Sequence, residues 1–179
     1  MTELGNVHTV VDVETILELV HRVCQQGSVM VNCTYCVKTP QPSIVTLPAL
    51  SEQCLALFEV VCAAYDISTQ PALFDPSVLA FEQPPGPFVC IRSKVVLGQT
   101  ELDEDEAQLL VRTLLGRTLM RLVELMEGLK EIVRVLLESA QHSRTCTAAL
   151  RACEASLECT IGRLTVFMQQ IDVECSGLA

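Results

Sequence analysis

Apolar residues recur along most of the chain at steps of three and four, the spacing that places side chains on one face of an α-helix. This pattern predicts helices from about Asp12 to Gln26, from about Pro48 to Asp66, from Asp103 onward, and from about Thr145 to Glu174. We place Pro48 in the first turn of the second helix, where proline is tolerated. The pattern therefore predicts an all-α fold, a bundle of four to five helices.

The stretch from residue 67 to residue 94 breaks the helical pattern, because its prolines cannot continue a helix. We predict one long Pro-rich connection here, followed by a short extended piece at Val95–Gly98. Residues 1–179 are predicted to form a single helical domain, since the length suits one domain. The breaking residues are Pro71, Pro76, Pro84, Pro85, Gly86 and Pro87.

The third helix has the clearest start signal, because Glu106 follows Asp103 by three residues, as in a capping box. We interpret the acidic run Glu101–Glu106 as a charged helix start, not as a metal site, because acids stabilise the positive end of the helix dipole. Further along, apolar residues keep a seven-residue rhythm, which predicts core packing or helix pairing and leads us to expect a homodimer. This stripe comprises Leu115, Leu119, Leu122, Met126, Leu129, Val133 and Leu136.

The first half of the fourth helix is rich in small residues, among them Ala148, Ala149, Ala152 and Ser156. Side chains this small would let another backbone approach closely.

Charge and composition exclude several classes of function. The 179 residues carry 12 basic against 22 acidic side chains, a net charge of −10, which argues against direct nucleic-acid binding. The many aliphatic residues exclude intrinsic disorder. No targeting segment is recognised at the N-terminus, and the longest apolar stretch, Leu55–Tyr65, is interrupted by Glu59. We therefore expect an intracellular protein that does not enter a membrane.

The ten cysteines suggest neither disulfides nor a metal site. Cys33 and Cys36 have half of a zinc-site spacing, but the next cysteines, Cys54 and Cys62, lie within a predicted helix. We expect most of the cysteines to behave as small buried hydrophobes. No metal and no cofactor are predicted.

Sequence motifs for catalysis are missing: the chain has no Gly-rich phosphate loop, no G-x-S-x-G and no H-E-x-x-H. His8 and His142 fall in a terminal segment and a predicted loop, where solvation explains them. An apolar pocket, if present, would be lined by residues with a polar tip beside apolar neighbours. The candidates are His21, Tyr35, Tyr65 and Arg92, and structural roles are the competing interpretation for all four.

One phrase of the sequence resembles a known family. Val95–Ala107, VVLGQTELDEDEA, continues into Leu114–Leu122, and together they resemble the C-terminal regulatory domain of fungal zinc binuclear cluster transcription factors, the aflatoxin regulatory protein family. Three other stretches agree in order: Thr15–Arg22 before the cysteine pair, Ser51–Tyr65, and Ser156–Phe167. The chain departs from the family in the spacing of Cys33 and Cys36, and it lacks the six closely spaced cysteines of the DNA-binding zinc cluster.

The resemblance implies a regulatory or ligand-binding module of fungal secondary metabolism. Such a module would bind a co-regulator protein, a twin subunit or a polyketide-like small apolar molecule, without DNA binding by this chain. The alternative is a freestanding relative recruited as a cofactor-independent cyclase or isomerase, acting on a polyketide-like substrate in an apolar pocket between helices. Nuclear localisation is expected if the module belongs to or binds a transcription factor, and cytoplasmic localisation otherwise.

Overall fold

The computed structural model describes residues 9–35, 42–67, 88–139 and 144–172, and every structural statement below concerns these residues. They fold around four long helices, so the predicted all-α class is confirmed. The helices are α1 (Val13–Val31), α2 (Pro42–Ala64), α3 (Glu104–Ser139) and α4 (Arg144–Asp172). Most of the predicted Pro-rich connection, residues 68–87, lies outside the described residues.

Two small sheets accompany the helices. Strand β1 (Thr9–Asp12) pairs in parallel with β2 (Phe88–Ile91), so that Val10 lies opposite Val89. Strands β3 (Val96–Leu97) and β4 (Thr100–Glu101) form an antiparallel hairpin. Gly98 opens the turn between them with φ +68°, a conformation that glycine adopts without steric cost. The predicted extended piece at Val95–Gly98 matches β3, whereas β1 and β2 were not predicted.

Both helix starts that follow an aspartate are capped by its side chain. In α1, Asp12 Oδ1 accepts a hydrogen bond from the Thr15 backbone N–H at 2.7 Å. In α3, Asp103 Oδ1 accepts from the Glu106 N–H at 2.9 Å, and Glu106 Oε2 accepts from the Asp103 N–H at 3.1 Å. The reciprocal pair is a capping box, as the sequence predicted.

The seven-residue stripe of α3 lies within the core of a single chain. From Leu115 to Val133 its residues are at most 1% exposed, and Leu136 packs at the edge of the same core. The stripe therefore serves packing against the other helices and is not available to a second chain. A homodimer stays a prediction, but it needs another surface.

Helix α2 lies at the centre of the fold and contacts α1, α3, α4 and β2. It begins six residues before Pro48, so the placement of that proline in the first turn was wrong. Its segment Thr46–Ala64 is long and apolar enough to cross a membrane, although the sequence analysis discounted the stretch because of Glu59. Eight of its residues are buried among the neighbouring elements, which is the environment of a core helix.

Helices α1 and α3 approach each other closely at Gly27. A Cβ atom at this position would lie 2.6 Å from Leu125 Cδ2, inside van der Waals contact. The missing side chain thus sets the spacing of the two helices, and the surface groove described next lies between them.

Candidate functional site

Two of the four predicted site residues, Tyr65 and Arg92, lie together at the end of α2. The Arg92 guanidinium lies 5.5 Å from the centre of the Tyr65 ring, a cation–π distance. Arg92 Nε donates to the Ala64 carbonyl at 3.0 Å, Nη2 pairs with Asp66 at 2.8 Å, and Nη1 pairs with Glu104. Arg92 therefore joins the end of α2 to the start of α3.

The turn that carries Tyr65 is held from a second side. Gln108 Nε2 donates to the backbone carbonyls of Tyr65 and Asp66, at 3.1 and 2.9 Å. Asp66 has φ +52°, in the left-handed region, where aspartate is tolerated better than most residues. Tyr65 is 1% exposed, and its hydroxyl finds no hydrogen-bond partner among the described residues.

This cluster is suited to holding structure. The cation is matched by two carboxylates and a helix-end carbonyl, which also satisfies one of the orphan groups of the helix terminus. Both carboxylates among the contacts of Arg92, those of Asp66 and Glu104, are ion-paired with its guanidinium. The structural interpretation of Tyr65 and Arg92 is thus the one their geometry favours.

His21 lies apart from that cluster, in an open groove between α1 and α3 that we call the α1–α3 groove. Its volume is about 550 Å³, and neither Tyr65 nor Arg92 lines it. His21 Nδ1 lies 3.3 Å from Arg121 Nη1 across the groove. The other lining residues are Cys24, Gln25, Ser28, Val29, Val31, Asn32, Glu124 and Leu125.

The α1–α3 groove combines an apolar floor with a polar rim. Leu125 is buried at its base, whereas Val29 is 67% exposed at its edge. The polar side chains around them supply both donors and acceptors. Tyr35, the fourth predicted residue, is 66% exposed and does not line this groove.

A second open groove, of about 800 Å³, lies where α3 meets the start of α4. Charged residues make up more than half of its lining: Arg134 and Glu138 from α3, and Arg151 and Glu154 from α4. Arg134 is also paired with Glu131 at 2.7 Å on its own helix. Because both signs of charge alternate, this groove does not select an anion or a cation.

A polar contact between α2 and α4 was missed by the sequence analysis. Glu52 is 12% exposed, accepts a hydrogen bond from Thr160 Oγ1 at 3.0 Å and pairs with Arg163 at 2.8 Å. Hydrogen bonding to Glu52 raises the pKa of Arg163, so this guanidinium stays charged. Opposite charges in two predicted helices were the available signal, but the spacing within one helix does not reveal a pair between helices.

The cysteines behave largely as predicted. Cys24, Cys54, Cys62, Cys90 and Cys153 are buried, and burial raises the pKa of Cys24 to about 11 and those of Cys54 and Cys62 to about 12. These thiols are therefore protonated and unreactive at neutral pH. Cys33 is half-buried and Cys159 is exposed, while Cys36 lies outside the described residues, as do His8 and His142. Within the described ranges, no group of three or more His, Cys, Asp or Glu side chains could hold a metal ion.

Comparisons with protein-family models, with curated proteins and with solved structures found no match to this chain.

Proposed function

We propose that this chain is a non-catalytic regulatory module that binds a co-regulator protein in the α1–α3 groove. The resemblance to the aflatoxin regulatory protein family suggests the setting, fungal secondary metabolism, and the groove supplies the surface. The single observation that carries the proposal is the open form of this groove, whose lining includes both the exposed Val29 and the buried Leu125.

The openness of the groove favours a protein over a small apolar metabolite. Small-molecule sites usually bury most of the ligand surface in a largely apolar cleft. Here an apolar side chain from a partner would reach Leu125, while the partner's polar groups would meet Gln25, Ser28 and Asn32 at the rim. This combination of an apolar centre and a polar rim is typical of protein interfaces.

The groove also has the charge to orient a partner. Arg121 and Glu124, one turn apart on α3, both line it, and Arg121 lies beside His21. Charges at a rim contribute to association rate and orientation more than to affinity. No feature of the described residues favours the cyclase alternative, which would need a substrate held away from water.

Affinity purification from a fungal host followed by native mass spectrometry tests the proposal. We expect the tagged wild-type protein to retain a polypeptide, and Val29→Glu to lose it, because a carboxylate would replace the apolar side chain exposed at the edge of the groove. The matched control is Leu109→Glu on α3, where the replaced residue is 57% exposed and does not line the groove.

Two outcomes would contradict the proposal. Equal retention by Val29→Glu and Leu109→Glu would show that the partner binds elsewhere. A retained small organic molecule that the protein converts catalytically would favour the biosynthetic enzyme.

A further inference from the structure

The α1–α3 groove has two unlike ends, and the contacts between its walls show where each end lies. At one end His21 of α1 lies beside Arg121 of α3, with 3.3 Å between Nδ1 and Nη1. Further along both helices, Gly27 of α1 lies against Leu125 of α3. Residue numbers rise in the same direction on both walls, so α1 and α3 run parallel along the groove. The arginine therefore lies at the end of the groove that is farther from the C-cap of α1, Asn32.

Arg121 is exposed and supplies the positive charge of the groove lining. Its hydrogen bond goes to the His21 ring nitrogen, which accepts it because arginine has no acceptor. Among the described residues no carboxylate is ion-paired with Arg121, and Glu124, one turn further along α3, is no exception. This guanidinium is thus available to a carboxylate from outside the chain. Other basic residues of the described chain are already paired with carboxylates: Arg22, Arg92, Lys94, Lys130, Arg134 and Arg163.

The other end of the groove carries a negative partial charge and an apolar surface. Ser28 and Asn32 line this end, where α1 finishes at Val31. The carbonyl groups of the last turn form the negative end of the helix dipole, and no basic residue lies in that turn. Val29, 67% exposed, adds the apolar surface. A partner that fits both ends is therefore acidic at one end and has a positive partial charge at the other.

The walls of the groove favour a helical partner over an extended one. An extended segment gains affinity by adding a strand to a free sheet edge, but both walls here are helices whose backbone groups are bonded internally. A helix satisfies its own backbone groups and can lay an apolar face between two other helices. The lining of α1 extends from His21 to Asn32, about 16 Å at the helical rise of 1.5 Å per residue. About three turns of a partner helix fit along this length.

We propose that the α1–α3 groove binds an amphipathic helix that runs antiparallel to α1, with its N-terminus at Asn32 and a carboxylate near its C-terminal end bound to Arg121. The inference rests on the proposed function and deepens it by giving the form, charge and direction of the partner. In this direction the positive end of the partner's dipole meets the C-terminal end of α1, and its negative end meets the arginine. Its apolar side chains lie beside Val29 and over Leu125.

The spacing of the groove residues sets the sequence pattern of the partner. Along α3, Leu125 follows Arg121 by four residues, or about 6 Å of helix. Along α1, Val29 lies eight residues beyond His21, or about 12 Å. A partner that runs in the opposite direction therefore carries two apolar residues one turn apart, and an aspartate or glutamate four residues after the second of them.

Fluorescence polarisation with stapled peptides tests the charge of the partner. The probes are alanine-rich helices of about three turns. Each carries two leucines one turn apart and, four residues after the second, glutamate, glutamine or lysine. We expect the glutamate peptide to bind wild-type protein about fivefold more tightly than the lysine peptide, because attraction to Arg121 becomes repulsion. The difference should shrink at high salt.

Substitutions of Arg121 separate a specific contact from general electrostatic attraction. Arg121→Glu should invert the preference, so that the lysine peptide binds more tightly, and Arg121→Gln should abolish it. Arg117→Glu is the matched control, because this exposed arginine lies one turn earlier on α3 and does not line the groove. It should keep the preference for glutamate, and circular dichroism checks that all variants are folded. A preference that Arg121→Glu leaves unchanged, or that Arg117→Glu also loses, would overturn the proposal.

Val29→Ser distinguishes a failure of this inference from a failure of the proposed function, since it removes apolar surface without adding charge. If it weakens binding of all three peptides while wild-type protein binds them equally, the groove binds a partner and the inferred charge is wrong. If it weakens none of them, the peptides bind elsewhere and the groove loses its support as a docking site. Wild-type protein that binds no peptide at high micromolar concentration would overturn the inference, whatever polypeptide it retains in affinity purification.

Photo-crosslinking tests the direction of the partner helix. A photoreactive residue at the C-terminal end of the glutamate peptide should crosslink near Arg121, and one at its N-terminal end should crosslink near Asn32, as located by peptide mass spectrometry. The exchanged pattern would indicate a parallel partner and overturn the proposed direction. An unstapled peptide with prolines in place of central alanines should bind at least about tenfold more weakly, because it cannot form the helix. Equal binding of that peptide would contradict the helical form.

Discussion

The two sides of α4 share the same spacing and differ in the size of their side chains. The inner side carries Leu150, Leu157, Leu164 and Phe167, which are buried against α2 and α3. The opposite side, the outer face of α4, is exposed and carries mostly small residues: Ala152, Ala155, Cys159, Gly162 and Val166. Burying a leucine contributes far more free energy than burying an alanine, because the stabilisation scales with apolar area. The comparison shows that the spacing of apolar residues defines the faces of a helix. The size of the side chains then determines which face is buried in the core of its own chain.

The largest expected effect is the difference in stability between truncating a side chain on the inner side of α4 and truncating one on its outer face. Leu164→Ala should destabilise the fold by about 2–5 kcal/mol, because it removes a fully buried side chain and leaves a cavity. Val166→Ala, two residues away on the outer face, should cost about 0.5 kcal/mol or less. Urea unfolding at low protein concentration measures both, and similar losses for the two variants would contradict the assignment of the faces.

A smaller effect is expected for the polar contact on the inner side of α4. Glu52→Ala should cost about 1–3 kcal/mol, because Thr160 and Arg163 would lose their common acceptor where little water reaches. Glu158→Ala removes the exposed pair with Lys130 and should cost at most about 1 kcal/mol. Denaturant unfolding of the two variants compares them, and a larger loss for Glu158→Ala would be evidence against the buried contact.

The same contrast between buried and exposed carboxylates extends to α2. Burial raises the pKa of Glu59 above its ordinary 4.5, so the folded protein binds this proton more tightly than the unfolded chain does. The ionised carboxylate therefore destabilises the fold at neutral pH, and this penalty disappears as the pH falls through the raised pKa. We expect Glu59→Gln to be slightly more stable than wild type at pH 7, and the gain to vanish below pH 4.5.

Thermal unfolding across this pH range measures the effect of Glu59→Gln. Glu127→Gln serves as the control, because it makes the same substitution at an exposed glutamate of α3. If the gain in stability of Glu59→Gln increased as the pH fell, the result would contradict this prediction.

The smallest expected effect is a difference in the reactivity of two cysteine thiols, which does not involve the stability of the fold. Cys159 on the outer face is exposed, while Cys153 on the inner side is 5% exposed and burial raises its pKa. A thiol reagent should label Cys159 at least about tenfold faster than Cys153 in the folded protein, because only the thiolate reacts and only Cys159 is accessible. Peptide mass spectrometry after timed labelling gives both rates, and the difference should vanish in denaturant.

Local signals predicted the helices well. The capping box at Asp103 and Glu106 and the apolar periodicities place the starts of α1, α3 and α4 within one residue of their positions in the structure. The start of α2 was misplaced, because Pro48 looks like a first-turn residue when the preceding turn has no periodicity of its own. Such signals act within one or two helical turns, which is why sequence resolves them.

Contacts between residues that are far apart in the sequence cannot be predicted from hydrophobic periodicity and capping motifs. The candidates Tyr65 and Arg92 were chosen for their polar tips, and the structure brings them together through a turn and a strand that periodicity did not reveal. The apolar stripe of α3 suggested pairing between chains, but its residues pack within one chain. A heptad pattern indicates that a helix packs against another helix. It does not indicate whether that second helix belongs to the same chain.

The parallel pairing of β1 with β2 has a consequence for the order of folding. Thr9 lies opposite Phe88, so the strand that precedes α1 finds its partner only after α2 has already been synthesised. The α3–α4 hairpin, in contrast, joins neighbours along the chain, and contacts that close short loops form faster. We expect β1 to dock late, which makes this strand the last of the described elements to be locked in place and the first to open.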